Sequence, residues 1–308
     1  MGVKRYFTRS VLLLAISLVG LVSPASAGTP LTPPSPLTPL VKSSLTQGVW
    51  SPAGRLVNGT PAIYTTSLIL PASQAQRASI AWIDPTLVRA QIYSGSLSPG
   101  GFGWKYSAPI SHQVAQTLVA AFNGGFLLKA SEGGYFSEGK LVAPLRKGAA
   151  SLVIYKDGSM TVGVWGSDVN MSSNVASVRQ NLRPLVRNAK PVAGLVASDI
   201  STWGQALNNV VATPRSGLGV TASGALVYVE APMNIVQLAQ VLVRAGAVTA
   251  MTLDMNPLWP IFATYKPSLP NGYATPGNGT DLAPSMRQTP ARFFSPAYTR
   301  DFIALFAR

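Results

Sequence analysis

Between residues 217 and 254 the spacing of apolar positions changes twice. GLGV at 217–220 and ALVYV at 225–229 flank Ser223-Gly224, a pattern that predicts a β-hairpin. From Ile235 the period lengthens: Ile235, Leu238, Ala239, Leu242 and Val243 follow the i, i+3, i+4, i+7, i+8 rule of a helix with one buried face. Asn234 and Gln237 are spaced as a capping box, Arg244 suits the negative end of the helix dipole, and Gly246 is the expected stop. Residues 248–253 are apolar on both faces, which predicts an interior strand. That strand delivers Asp254 to Met255-Asn256-Pro257, where Pro257 lacks an N–H and restricts Asn256.

The same reading along the chain predicts strand, turn and strand over residues 79–93 around Asp84-Pro85, and a helix near 111–119. A short buried strand follows at 120–122, broken by Asn123-Gly124-Gly125, and a hairpin over 148–165 turns at Asp157-Gly158. Residues 266–280 read as a surface loop. At the other end, a basic stretch, an apolar run over 11–22 and Ala25-Ser26-Ala27 have the order of a signal peptide cleaved after Ala27. The apolar run is short for a bilayer span of about 20 residues. TPLTPPSPLTPL, at 29–40, reads as a proline-rich linker over residues 28–44, and residues 45–308 as one globular domain.

Composition narrows the chemistry. The chain has 308 residues and no cysteine, so it has no disulfide and no thiolate nucleophile. Its one histidine, His112, leaves little room for histidine-based metal sites, and we expect no cofactor. Twenty-four Lys and Arg stand against ten Asp and Glu, a formal charge of +14. A basic exported protein suits anionic partners such as a wall polymer or an acidic glycan. No dense basic run interleaved with aromatics points to nucleic acid, and no stretch after the leader reads as an integral membrane segment.

Asp254 either closes an Asx turn before Pro257 or stands at the mouth of a cavity. Arg215, at the rim of the hairpin, can face the same cavity. The Asn123-Gly124-Gly125 turn is either an ordinary Asn-Gly turn or a set of exposed N–H groups that receives an anion, its glycines allowing positive φ and close approach. Trp259 either packs or stacks on a sugar ring.

FNGGF at 122–126, GVWG at 163–166, RPLVRNAKP at 183–191, PRSGLGVTASGALVYV at 214–229 and AGAVTAMTLD at 245–254 resemble, in order and spacing, the phosphodiester glycosidase family. The resemblance implies an α+β fold with a mixed sheet and cleavage of a sugar–phosphate bond. It also implies Asn123, Arg215 and Asp254 as site residues. Arg215 would bind phosphate, Gly124 and Gly125 would offer N–H groups, and Asp254 would be nucleophile or base. Glu138 would be the partner acid, with Asp168, Asp199 and Glu230 as substitutes, and Asn256 and Trp259 would touch substrate. The family's Leu-Asp-Gly-Gly-Gly-Ser stands here as Leu253-Asp254-Met255-Asn256-Pro257-Leu258. That departure leaves open a glycan-binding protein without turnover, or a glycosidase for unphosphorylated polysaccharide.

Overall fold

The computed structural model describes residues 28–308 except 72, 205–209 and 284–285. The signal-peptide reading therefore lies outside the described residues. The strands, in chain order, are β1 (Ser51–Val57), β2 (Thr60–Leu70), β3 (Ser73–Ile83), β4 (Val88–Tyr93), β5 (Leu118–Asn123), β6 (Tyr135–Ser137), β7 (Lys140–Ala143), β8 (Ala150–Tyr155) and β9 (Met160–Val164). They continue as β10 (Val175–Gln180), β11 (Pro184–Arg187), β12 (Lys190–Pro191), β13 (Thr213–Thr221), β14 (Leu226–Met233), β15 (Ala247–Thr252), β16 (Phe262–Tyr265), β17 (Gly279–Asp281) and β18 (Phe302–Ala307). Among the described residues three α-helices accompany them: α1 (His112–Ala115), α2 (Ile200–Trp203) and α3 (Ile235–Arg244).

These strands form an eight-stranded sheet, order β1-β2-β3-β14-β13-β15-β11-β12, and two five-stranded sheets, β7-β6-β10-β8-β9 and β17-β16-β5-β18-β4. Strand makes up 40% and helix 11% of the described residues, so the molecule is more sheet-dominated than a balanced α+β fold, though compatible with that class. The expected mixed sheet is corrected: each ladder between named strands is antiparallel. Parallel neighbours need a long crossover connection, usually a helix, and among the described residues α3 is the one α-helix of more than four residues. It joins β14 to β15, which run the same way on either side of β13.

One core fills the space between the large sheet and the two smaller ones, with Leu218, Val220, Tyr228, Met251 and Leu253 from the large sheet and Phe122, Leu152, Phe262 and Ile303 opposite. A second core lies on the other face of the large sheet, under α3. The capping box expected at Asn234 and Gln237 is present, and Ile235, Leu238, Ala239, Val241 and Leu242 are buried. Val243 is half-buried, and Gly246 ends the helix at φ 94°. Alternation along β13 explains the seat of α3. A Cβ on Gly217 would stand 3.0 Å from Leu242 and 3.2 Å from Leu238, so glycine lets the helix approach the sheet.

The helix expected at 111–119 is only one turn long, because β5 claims residues from Leu118 onward. The two strands around Asp84-Pro85 belong to different sheets, so that turn is a crossing between layers rather than a hairpin. The proline-rich stretch has no regular secondary structure, yet Leu31, Leu37 and Leu40 pack against the core beneath α3. Among the described residues no helix is long and apolar enough to cross a membrane.

Candidate active site

At the end of β15, Leu253 N donates to Ser216 O and Ser216 N donates to Asp254 O, both at 2.8 Å. Two residues thus oppose one, the arrangement of a β-bulge, which turns a side chain out of the regular alternation. The turned side chain is Asp254, 3% exposed. Its Oδ1 accepts from Asn256 N at 2.8 Å, the Asx turn expected before Pro257. Its Oδ2 accepts from Arg300 Nη2 at 2.7 Å. The Asx-turn reading of Asp254 thus holds, and the same side chain is also half of a buried ion pair. Burial raises the Asp254 pKa above the ordinary carboxylate value, against the opposing charge of Arg300.

Arg300 also donates to Gly125 O at 3.0 Å, which brings the Asn123-Gly124-Gly125 turn to Asp254. Neither glycine has positive φ. Their need is space: a Cβ on Gly124 would lie 2.0 Å from Asp301 Oδ2, and one on Gly125 2.8 Å from Asn181 Oδ1. The close approach expected of this turn is thus to the protein's own polar side chains. Asp301 pairs with Arg179, whose Nε donates to Asp301 Oδ2 at 2.8 Å and whose other nitrogens donate to Gln180 O and Phe126 O. Asn181 donates to Thr252 O at 3.0 Å and Leu253 O at 2.9 Å, and accepts from Phe126 N at 3.1 Å. It clips the end of β15 to the chain just past the glycine turn.

Asn123 is a hub inside this frame. Its Nδ2 donates to Ser216 Oγ and Gly124 O, and its Oδ1 accepts from the Tyr228 hydroxyl at 2.7 Å and from Ile261 N at 3.1 Å. The Tyr228 hydroxyl also lies 3.2 Å from Glu230 Oε2. Glu230 is 1% exposed, and burial first, then the charge of Asp281, pushes its pKa up to about 8. Among the described residues no three His, Asp or Glu side chains gather as a set of metal ligands.

Arg215 does not join Asp254. It lies two residues from Gly217, on the α3 side of β13, while Ser216 faces Asn123. Its Nε donates to Met233 O at 2.6 Å and its Nη2 to Val211 O at 3.1 Å. Burial lowers its pKa to about 10. Glu138 has no contact with Asp254 either: its two oxygens accept from Lys105 N and Tyr106 N. Asn256 Oδ1 accepts from Leu258 N, so the altered loop consumes its own polar groups. Trp259 is half-buried and lies over the Arg300 guanidinium, 4.7 Å from it. Asp168 pairs with Arg187 on the surface, and Asp199 caps α2.

The sequence reading missed Arg300, Asp301, Arg179 and Asn181. Signals existed. Arg300-Asp301 immediately precedes the apolar FIALFA, and Arg179-Gln180-Asn181 puts three polar residues in a row between apolar runs. In a chain with few carboxylates, a charged pair at the mouth of a buried strand is a candidate.

Residues 116–254 match the model of the phosphodiester glycosidase family, so the resemblance read from the motifs is shown. The sheet architecture is similar to that of the zebrafish N-acetylglucosamine-1-phosphodiester alpha-N-acetylglucosaminidase catalytic domain, auto-inhibited by its pro-peptide. That likeness has TM-score 0.50 at 16% identity, over 86% of this chain and 89% of that one, and it shows a shared fold. A hypothetical protein from Synechocystis is also similar, at TM-score 0.40 and 11% identity over 84% of this chain and 64% of that one, too distant to carry an argument. None of the curated proteins matches.

Proposed function

We propose that the protein is an exported phosphodiester glycosidase that hydrolyses a sugar–phosphate bond in a wall or capsule glycan. The observation that carries this reading is the Asp254–Arg300 pair, held at the end of an interior strand by the glycine turn of one family motif and the bulge of another. Asp254 supplies the carboxylate, as nucleophile or as base for water. Arg300 holds it in place and brings positive charge to the point where a phosphate would arrive. Trp259, beside them, packs against the Arg300 guanidinium, and its indole edge is the part that would meet a sugar. Arg215 keeps a structural part in this reading, bridging Val211 O, before β13, to Met233 O, before α3. Export follows from the leader, and the excess of basic residues suits an anionic polymer.

The test is hydrolysis of a sugar 1-phosphate diester. Asp254→Asn should remove turnover while the fold persists; full activity in that variant ends the reading. Glycoside cleavage ordinarily uses a second carboxyl group, so Glu138→Gln and Glu230→Gln belong in the same assay. Loss of turnover in a folded variant identifies the acid.

One observation favours a second reading, a glycan-binding protein without turnover. The loop after Asp254 closes on itself through Asn256, where the family pattern has glycines and serine. Saturable glycan binding with no cleavage of either the diester or its neutral glycoside analogue would select it.

A further inference from the structure

Three buried donors gather around Trp259 without an acceptor among the described residues: Arg292 Nε, Arg300 Nε and the Tyr298 hydroxyl. The Arg292 guanidinium lies over Trp259 at 5.1 Å and over Tyr298 at 4.7 Å, and the Arg300 guanidinium lies over the same Trp259 ring at 4.7 Å. The Trp259 and Tyr298 rings are themselves 6.0 Å apart. Tyr298 and Arg300 are 3% and 6% exposed. Burial first, then the charge of Asp301, raises the Tyr298 hydroxyl pKa well above the ordinary tyrosine value, against the opposing charges of Arg300 and Arg292.

Leaving a buried donor unsatisfied costs stability, and native structures avoid it unless the site receives a ligand, an ion or a water. The charges point the same way. Asp254 balances Arg300, whereas no carboxylate of the described residues pairs with Arg292. Two guanidiniums share one indole with one carboxylate between them, so an excess positive charge sits in a half-buried aromatic patch. Guanidinium nitrogens and a phenol hydroxyl are donors suited to a tetrahedral oxyanion.

We propose that Arg292, Arg300 and Tyr298 form an oxyanion subsite beside Asp254, and that it takes the phosphate of a phosphodiester-linked sugar. The choice of a diester rests on the glycosidase reading; the subsite itself does not. All three residues lie beyond residue 254, where the family match ends. The subsite thus replaces the phosphate contact expected of Arg215, whose side chain is on the other face of β13.

The experiment is calorimetric titration of the folded protein with inorganic phosphate, a sugar 1-phosphate methyl diester and the neutral methyl glycoside. Wild type, Arg292→Gln, Arg292→Lys and Tyr298→Phe are compared, with circular dichroism as the check on folding. Wild type should bind phosphate and the diester and bind the neutral glycoside at least tenfold more weakly. Arg292→Gln should lose tenfold or more in affinity for both anions, Arg292→Lys less, and Tyr298→Phe a few-fold. Tyr298→Phe keeps the ring packing, so its loss reads the hydroxyl alone. A folded Arg292→Gln that binds both anions as wild type does overturns the subsite, as does a wild type that binds neither. Binding of phosphate without the diester overturns the choice of ligand. Anion binding lost in Arg292→Gln, in a wild type that cleaves nothing, upholds the subsite and ends the glycosidase reading. Cleavage with KM unchanged in Arg292→Gln does the reverse.

Discussion

Glu230 shows how burial of one side chain sets a dependence for the protein. It has no cation partner among the described residues; the Tyr228 hydroxyl and Ala283 N–H oppose the upward shift, and Asp281 adds to it. Asp281 is itself pushed up by burial, to about 6. A carboxyl group with a folded pKa near 8 binds its proton more tightly than in the unfolded chain, where the value is about 4.3. Its contribution to stability is therefore complete below that lower value and is lost as pH rises through about 8. Urea midpoints should fall between pH 5 and pH 8.5 in the wild type. Glu230→Gln, uncharged throughout, should show a smaller fall; an equal fall would place the proton elsewhere.

α3 is the element whose local signals and tertiary role agree most fully. Its period, its cap and its stop are encoded in ten residues and their neighbours, and Gly217 of β13 prepares the surface it lies on. Leu238 is wholly buried in the core beneath it. Leu238→Ala should cost about 2–5 kcal/mol, and Asn234→Ala about 1 kcal/mol through loss of the cap. Chemical denaturation of the two variants checks the ranking, and a Leu238→Ala cost below that of Asn234→Ala would contradict this packing. The helix matters to the site because it returns the chain from β14 to β15, and β15 delivers Asp254 beside Ser216.

For the whole molecule, the last strand is central rather than peripheral. β18 lies between β5 and β4, and its entry residues, Arg300 and Asp301, make both buried ion pairs around the glycine turn. Chain ends are ordinarily dispensable unless they dock in a sheet. Removing residues 302–308 should abolish cooperative thermal unfolding, because it takes out the strand that joins β4 to β5 and frees Arg300 and Asp301. A truncated protein that unfolds at the wild-type temperature would show that this strand is not needed.

What the sequence determined alone lies in contiguous patterns. The β13–β14 hairpin, the capped helix, the interior strand and the Asx turn at Asp254 are each written in a few neighbouring residues, because period, capping and turn chemistry act over short spans. The ordered motifs also sufficed to place the chain beside the phosphodiester glycosidases. Which cation meets Asp254 was a tertiary decision. Arg215 is near Asp254 by strand order, yet alternation along β13 sends its side chain to the helix face while Ser216 takes the face of the site. Arg300 is 46 residues away in the chain and arrives only because β18 pairs with β5. The glycines of Asn123-Gly124-Gly125 were legible as a close approach, but not what approaches: Asp301 and Asn181 come from separate strand ends that only the assembled sheets bring together. Long-range pairing of this kind depends on how three sheets stack, and no local spacing records it.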